Sequence, residues 1–350
     1  MVPLIGSPPA TAPAACGILA AGTASSGTGN VPVSAQARDR GSRRAVAPTT
    51  SATARTGPLD PEDRMHLAFL PAPGGYPLWD GGAAAALGRR LEDAGAESLW
   101  VVEHVVVPES YDSTYPYAPD GRMGLPVDVD IPDPLELLAF VAGATDELRL
   151  GTAMLILPEH HPVHLAKRLA TLDRLSGGRL LAGVGIGWLE EEYDAVGVPF
   201  ARRGARADEY LEAMLALWSG APASYDGEFV SFGPVHSNPR PTRDRVSLVI
   251  GGHSPAAARR AGRYGDAMYP LGVSLEQLRE LRAEIDAAAR GAGRDPGEVT
   301  LTAVAPRTRE EIEQLRELGV DRVLMSSART DLDGIAAKVE GYRRDVLDAA

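Results

Sequence analysis

A carboxylate and an imidazole, Glu103 and His104, stand side by side directly after the apolar run Ser98–Val102. That run predicts a buried strand, so we expect both side chains at its carboxyl end. An imidazole beside a carboxylate can be held in one tautomer and can pass a proton near neutral pH. The pair is therefore a candidate catalytic site. The alternative is a histidine that only hydrogen-bonds the loop after its strand.

Three alternating glycines and a tryptophan end another apolar strand, at Gly183, Gly185, Gly187 and Trp188. Glycine allows the backbone to approach a flat ligand and leaves its N–H groups accessible. We therefore predict that this strand end contacts a cofactor. The alternative is a strained turn between strand and helix that binds nothing.

A second glycine turn links a strand to a helix at Gly251, Gly252, His253, Ser254 and Pro255. Free N–H groups at a helix N-terminus, together with the helix dipole, attract phosphate. The Ser254 hydroxyl can donate to the same anion. The alternative is that Ser254 acts only as the N-cap of the helix. Barrel phosphate sites more often follow strands seven and eight, which leaves this assignment open.

Other side chains near these strand ends give further candidates. Tyr115 and Tyr117 lie in a long loop and could cover a substrate or simply pack that loop. Arg203 and Arg206 lie one helical turn apart and could clamp an anionic substrate or cofactor tail, or form a solvated helix face. The three glutamates at 190–192 are expected to form a solvated face of the next helix.

Short β-branched runs alternate with longer segments of helical period after Met65. The predicted strands are Leu67–Leu70, Ser98–Val102, Leu148–Met154, Arg179–Val184, Leu248–Ile250, Ala267–Tyr269, Val299–Val304 and Arg322–Met325. The predicted helices lie near Gly82–Asp93, Pro134–Ala144, Val163–Arg174, Arg206–Trp218, Ala256–Tyr264, Leu275–Arg290, Glu310–Leu318 and Ile335–Leu347. Eight strands alternating with eight helices predict an α/β fold, a (β/α)8 TIM barrel.

A doubly wound open sheet is the alternative fold, but no G-x-G-x-x-G motif follows the first strand. Two connections are too long for simple turns, from Val105 to Pro132 after strand two, and from Gly220 to Val246 after strand four and its helix. Long connections in a compact domain are usually lids or binding loops.

Composition excludes several classes of protein. The formal net charge is −12, which argues against a nucleic-acid binder. No run of about 18 apolar residues predicts a membrane span, so we expect a cytoplasmic protein. The single cysteine, Cys16, excludes an internal disulfide and a cysteine zinc site.

His160, His161 and His164 are close in sequence, but the first two point in different directions and no metalloprotease motif accompanies them. We expect no metal.

The first 64 residues differ from the rest of the chain. They contain no Phe, Tyr or Trp, although the whole chain carries 4 Trp, 10 Tyr and 5 Phe. A segment rich in Ala, Pro, Ser and Thr cannot recover its ordering entropy, so residues 1–64 are expected to be a disordered leader. Met65 opens the first apolar strand and is a candidate for the true start. The folded domain is predicted at 65–350.

The ordered motifs along 65–350 resemble the luciferase-like monooxygenase superfamily of flavin and deazaflavin oxidoreductases. The motifs that carry the resemblance, beyond those above, are Ser98–His104, Leu150–Met154, Leu172–Arg179, Val198–Phe200, Gly204–Arg206 and Ile250–Ser254. The run Tyr115–Gly121 resembles the subgroup usually assigned to coenzyme F420, a 5-deazaflavin hydride carrier.

The resemblance implies roles for several residues. The acid–histidine pair would meet the cofactor ring, and Thr152, Ala153 and Met154 would contact it through a bulge with a non-prolyl cis peptide bond at Ala153–Met154. Deazaflavin-dependent sugar dehydrogenases of the superfamily place a catalytic Glu directly after the final glycine, where this chain has Trp188. That departure argues against the same substrate and mechanism.

The resemblance thus implies an oxidoreductase that moves a hydride between F420 and a small organic substrate. Two alternatives remain open: an FMN-dependent monooxygenase that uses reduced flavin and oxygen, and a non-catalytic flavin-binding barrel. Relatives commonly form homodimers, but nothing in this sequence locates an interface.

Overall fold

The barrel predicted from the sequence is the fold that the computed structural model shows, and the model describes residues 65–328 and 331–348. In chain order the strands are β1 (His66–Pro71), β2 (Ser98–Val101), β3 (Arg149–Thr152), β4 (Leu155–Ile156), β5 (Leu180–Gly185), β6 (Ala223–Asp226), β7 (Ser231–Val235), β8 (Ser247–Gly251), β9 (Ala267–Tyr269), β10 (Thr300–Val304) and β11 (Val320–Ser327). The predicted leader lies outside the described residues.

Strand pairing closes the sheet into a ring. Within the described ranges the order is β3-β2-β1-β11-β10-β9-β8-β5, and β3 pairs in turn with β5 through Leu150 opposite Leu180. The longest register joins β1 to β11, from His66 opposite Arg322 to Pro71 opposite Ser327. All these pairings are parallel, as right-handed crossovers require. The doubly wound open sheet is therefore wrong.

Helices cover the outside of the ring. They are α1 (Gly81–Asp93), α2 (Pro134–Ala142), α3 (Pro162–Leu175), α4 (Glu190–Val196), α5 (Arg203–Trp218), α6 (Pro255–Tyr264), α7 (Leu275–Gly291), α8 (Arg309–Glu317) and α9 (Leu332–Tyr342). Ser254 caps α6, and Ser274 and Thr308 form capping boxes, which explains why these helices begin where the sequence predicts. None of the helices in the described ranges is long and apolar enough to cross a bilayer.

The two long connections differ in structure. The second contains an antiparallel hairpin of β6 and β7, whose Tyr225 hydroxyl donates to Glu212 of α5. Glu209 of α5 accepts backbone N–H groups from Phe229 and Val230 near the hairpin tip. The hairpin therefore lies along α5. The first connection, 105–132, contains neither strand nor helix and extends over the carboxyl ends of the strands.

Large side chains fill the barrel interior. Trp100 of β2 is fully buried and meets Tyr269 of β9 edge-on, with ring centroids 6.3 Å apart. A Cβ at Gly151 of β3 would overlap the Trp100 indole, so only glycine fits beside it. Leu181, Val249 and Leu324 are buried in the same interior cluster. The interior is thus closed below the carboxyl ends, and any site must lie above it.

At the opposite end of the barrel, charged side chains form ion pairs. Glu97 accepts hydrogen bonds from Arg322 at 2.8 and 2.9 Å and from Arg149 at 3.3 Å. Burial alone would raise the pKa of Glu97, but the two guanidiniums outweigh it and hold that pKa well below its ordinary value. The ion pairs of Glu97 therefore stabilise the fold at this end of the barrel.

Candidate active site

His104 follows β2 and is held by a buried carboxylate from α4. Its Nδ1 lies 2.8 Å from Oε2 of Glu192, whose side chain is fully buried. Glu192 also accepts the backbone N–H groups of Val105 at 2.5 Å and Val106 at 3.3 Å. Because an ionised carboxylate only accepts hydrogen bonds, Nδ1 of His104 carries the proton of this bond. Nε2 of His104 can then accept a proton from a ligand or hold a proton for it.

Glu103 has different partners. Its carboxylate accepts the backbone N–H of Ile156 at 2.6 Å and contacts His160 Nε2 at 3.0 and 3.1 Å. The prediction that Glu103 is the carboxylate beside the His104 ring is wrong, because consecutive residues at a strand end project to opposite sides. The site contains two carboxylate–imidazole pairs, Glu192–His104 and Glu103–His160.

Glu192 and His160 were missed as site residues. The predicted solvated face at Glu190, Glu191 and Glu192 is wrong for Glu192, which is fully buried. Glu191 holds the loop instead, since it accepts the N–H of Asp112 at 2.6 Å. In a helix of seven residues, three glutamates in a row show no periodicity that separates one from the others. The one available signal is that they follow a turn at a barrel strand end.

The predicted irregularity after β3 is confirmed. The Ala153–Met154 peptide bond is cis, and the strand resumes only at β4. Thr152 is buried, and its hydroxyl donates to the Gly183 carbonyl at 2.7 Å. Ala153 and Met154 are partly exposed at the top of the interior cluster. They therefore lie on the floor of the barrel mouth.

The glycines of β5 and β8 make room for this segment. A Cβ at Gly251 would lie 2.5 Å from Cγ of Met154, and one at Gly183 would lie 2.8 Å from its sulfur. Gly185 leaves ordinary contact distance to Met154. The structure thus gives Gly183 and Gly251 a packing reason, whereas the prediction ascribed them to a ligand.

Aromatic side chains from the 105–132 loop cross the mouth. Trp188 lies edge-on to His104 at 6.4 Å and to Tyr115 at 5.0 Å between centroids. Tyr115 contacts Tyr117 at 5.4 Å, and Tyr117 contacts His253 at 5.3 Å. Burial raises the pKa of both tyrosines, so both stay neutral phenols. The loop therefore connects the β2 side of the mouth to the β8 side.

Gly187 sets the position of Trp188 in this chain. Its φ of +63° lies in the left-handed region, and a Cβ there would lie 2.8 Å from Cγ2 of Ile156.

Beyond Tyr117, a cavity of about 300 Å³ opens beneath the loop. It is lined by Pro116, Tyr117, Ala118, Pro119, His253, Leu271 and Gly272.

Ser254 acts as the N-cap of α6, since its hydroxyl accepts the N–H of Ala257 at 3.2 Å. Gly252, at φ +125°, donates its N–H to the Tyr269 carbonyl at 3.4 Å. His253 and Ser254 are exposed. The N-cap role is confirmed, and phosphate binding at this helix end stays a prediction.

The structure does not bring Arg203 and Arg206 together as an anion clamp. The Arg203 guanidinium lies 3.7 Å from the Phe200 ring centroid, and its Nε donates to the Gly187 carbonyl at 3.3 Å. Arg206 is buried and donates to the Pro199 carbonyl at 2.7 Å. Both arginines pack the start of α5 against the turn before it.

No group of three or more potential metal ligands occurs among the described residues. His160 contacts Glu103, while His161 and His164 contact each other edge-on at 5.6 Å. His160 thus has a different partner from His161 and His164, which contact each other.

Comparison with known proteins identifies the family to which the chain belongs. An uncharacterized protein of Mycobacterium tuberculosis is 36% identical over 263 residues, which cover 73% of this chain and 91% of the relative. Among solved structures, an F420-dependent secondary alcohol dehydrogenase in complex with an F420–acetone adduct has a TM-score of 0.64 at 17% identity, covering 81% of this chain and 98% of that one.

A monooxygenase from Streptomyces bottropensis has a TM-score of 0.55 at 24% identity, with 81% of this chain and 84% of that one covered. These two likenesses concern the fold. A model of the luciferase-like monooxygenase family matches residues 66–341. The chain therefore belongs to the luciferase-like monooxygenase family.

Proposed function

We propose that the protein is an oxidoreductase that transfers a hydride between coenzyme F420 and a small organic substrate. The observation that carries the proposal is the hydrogen bond between His104 Nδ1 and the buried Glu192 carboxylate at 2.8 Å. A substrate that gains or loses a hydride must also gain or lose a proton. With Nδ1 engaged, Nε2 of His104 is the atom that holds or accepts that proton.

The residues at the mouth fit a flat cofactor with a phosphate-bearing tail. Ala153 and Met154 offer a partly exposed apolar floor, and the exposed start of α6 offers Ser254 and a helix dipole for a phosphate. These residues, with His104 and Trp188, would hold the group. When bound, the deazaflavin supplies the two-electron hydride chemistry.

We propose an uncharged, largely apolar substrate, such as a small alcohol or ketone. The cavity of about 300 Å³ is lined by proline, alanine, glycine, leucine and tyrosine, with His253 as its one imidazole. No arginine or lysine lines it, and Arg203 and Arg206 have partners elsewhere. A carboxylate or phosphate substrate would find no cationic partner there.

The FMN-dependent monooxygenase is the second candidate, because Trp188 argues against the substrate and mechanism of the deazaflavin sugar dehydrogenases. This residue occupies the position where deazaflavin sugar dehydrogenases carry a catalytic Glu, and its contacts with His104 and Tyr115 make it a wall of the mouth. The two candidates differ in their need for oxygen, because the deazaflavin ring, which has carbon in place of N5, reacts poorly with oxygen.

Turnover assays separate these candidates. We would incubate the full chain anaerobically with reduced F420 and a panel of neutral ketones, and separately in air with reduced FMN and the same panel. Reoxidation of F420 that requires a ketone supports the proposal. Oxygen-dependent product formation with FMN, and none with F420, contradicts it. A non-catalytic barrel would give no turnover in either arm.

A further inference from the structure

A further cavity, of about 420 Å³, lies between the start of α7, the start of α8 and the carboxyl end of β10. We call it the outer cavity, and the cavity of about 300 Å³ beneath the 105–132 loop the loop cavity. The last residue of β10, Val304, lines the outer cavity and is 52% exposed. Ligands of barrel proteins bind at this end of the strands. The apolar side chains that line the outer cavity are Val273, Leu275, Leu278, Ala303, Val304 and Leu315.

The polar side chains around the outer cavity do not prepare it for a charged ligand. Ser274 accepts the N–H of Gln277 at 3.2 Å in the capping box of α7. Glu311 accepts the N–H groups of the two residues before α8 at 2.9 and 3.2 Å, and Gln314 is exposed on α8. Of the described residues that line the cavity, none is arginine or lysine. An anionic group would therefore find no cation there, whereas an uncharged aliphatic chain would bury apolar surface.

The outer cavity adjoins the loop cavity at the segment that follows β9. Gly272 lines both cavities, and of the two residues before it Leu271 lines the loop cavity and Pro270 the outer cavity. Gly272 has a φ of +74°, and a Cβ there would lie 3.5 Å from Cδ1 of Tyr117. Because a longer side chain would occupy the boundary between the cavities, glycine leaves room for a ligand to extend from one to the other.

We propose that the outer cavity binds the aliphatic tail of the substrate, and that the loop cavity binds the part of the substrate next to its reacting carbonyl or hydroxyl group. The substrate class is then a neutral ketone or alcohol whose unbranched chain is too long for the loop cavity alone. The inference deepens the proposed function and depends on it for the identity of the reacting group. The shared boundary at Gly272 and the apolar lining on both sides of it carry the inference.

Calorimetry on the full chain without coenzyme tests this proposal, with the methyl ketones butanone, hexanone, octanone and decanone as probes. Each methylene that becomes buried should tighten binding by up to about fourfold, so we expect decanone to bind about tenfold or more tightly than butanone. Val304→Asp places a charge in the lining and should remove this gain while butanone binds as in the wild type. Val235 gives the matched control, because it is also an exposed valine that ends a strand and it lines neither cavity. Val235→Asp should bind the whole series like the wild type.

Gln314→Trp fills the outer cavity from an exposed helical position and should also remove the gain, which keeps the test decisive if Val304→Asp does not fold. Equal affinities along the series in the wild type contradict the proposal, as does a gain that persists in Gln314→Trp. Failure of the proposed function gives a different result. Chain-length dependence of binding without any turnover would contradict the proposed function alone, whereas F420-dependent turnover of butanone without chain-length dependence would contradict only this inference.

Discussion

Glu192 contacts Nδ1 of His104 at 2.8 Å, although 88 positions separate the two residues in the chain. One comes from the end of β2 and the other from a short helix after β5. The same carboxylate holds the first residues of the 105–132 loop through Val105 and Val106. It therefore fixes both the tautomer of the histidine and the start of the segment that covers the mouth.

Glu192→Gln should lower the turnover number by about 10²-fold or more, because the amide no longer stabilises the protonated ring or fixes one tautomer. Gln can still accept from the loop N–H groups through its carbonyl oxygen, so the fold should persist. Steady-state kinetics with reduced coenzyme measure the effect. The matched control, Glu190→Gln, should keep wild-type turnover. Full activity in Glu192→Gln would exclude the proposed role of the His104–Glu192 pair.

Glu97→Gln should destabilise the protein by about 3–5 kcal/mol at pH 7, because it leaves the buried Arg322 without its carboxylate. The pKa of Glu97 is lowered by folding, so its contribution is present at neutral pH and declines as pH falls below the ordinary range of a glutamate. Denaturant unfolding at pH 7 and pH 4 checks both effects. A loss of less than 1 kcal/mol at pH 7 would contradict the assignment.

Glu159→Gln should make the protein relatively more stable than wild type as pH rises. The pKa of Glu159 is about 9 in the fold against 4.5 in the unfolded chain, so its contribution is full below pH 4.5 and declines as pH rises to 9. The slope is at most about 1.4 kcal/mol per pH unit, less where water reaches the group. Thermal unfolding from pH 5 to 9 measures the difference, and parallel curves for both proteins would contradict it.

Gly151→Ala should destabilise the barrel by about 1–3 kcal/mol, because the new Cβ overlaps the Trp100 indole and both belong to adjacent strands. Gly291 is the control, since it ends α7 and a Cβ there meets nothing within 4 Å. Gly291→Ala should leave stability unchanged or raise it by up to about 1 kcal/mol. Urea unfolding of both variants compares them. Equal midpoints would contradict the packing described for the interior.

Local patterns in the sequence predict the barrel well, because each strand is a short apolar run and each helix carries its own cap. Ser254 is such a cap, which the sequence indicated, and the structure shows it together with capping boxes at Ser274 and Thr308. The cis bond at Ala153–Met154 came from the family resemblance and is also confirmed. Structural features that depend on a single element or motif can therefore be predicted from the sequence.

Pairings between distant elements are not recoverable in this way. His104 meets Glu192, and Glu103 meets His160, only because the barrel closes and its loops converge. A run of three glutamates gives no local sign that one is buried. Likewise, the internal partners of Arg203 depend on the turn that carries Gly187 and Phe200. These contacts follow from tertiary structure, which no periodicity encodes.

Coenzyme binding tests the central claim most directly. Oxidised F420 and FMN would each be titrated into the full chain, with fluorescence as the signal and His104→Gln as the comparison protein. We expect saturable binding of F420 that is at least tenfold tighter than binding of FMN and weaker in His104→Gln. Tighter binding of FMN, or F420 binding that is the same in both proteins, would contradict the account.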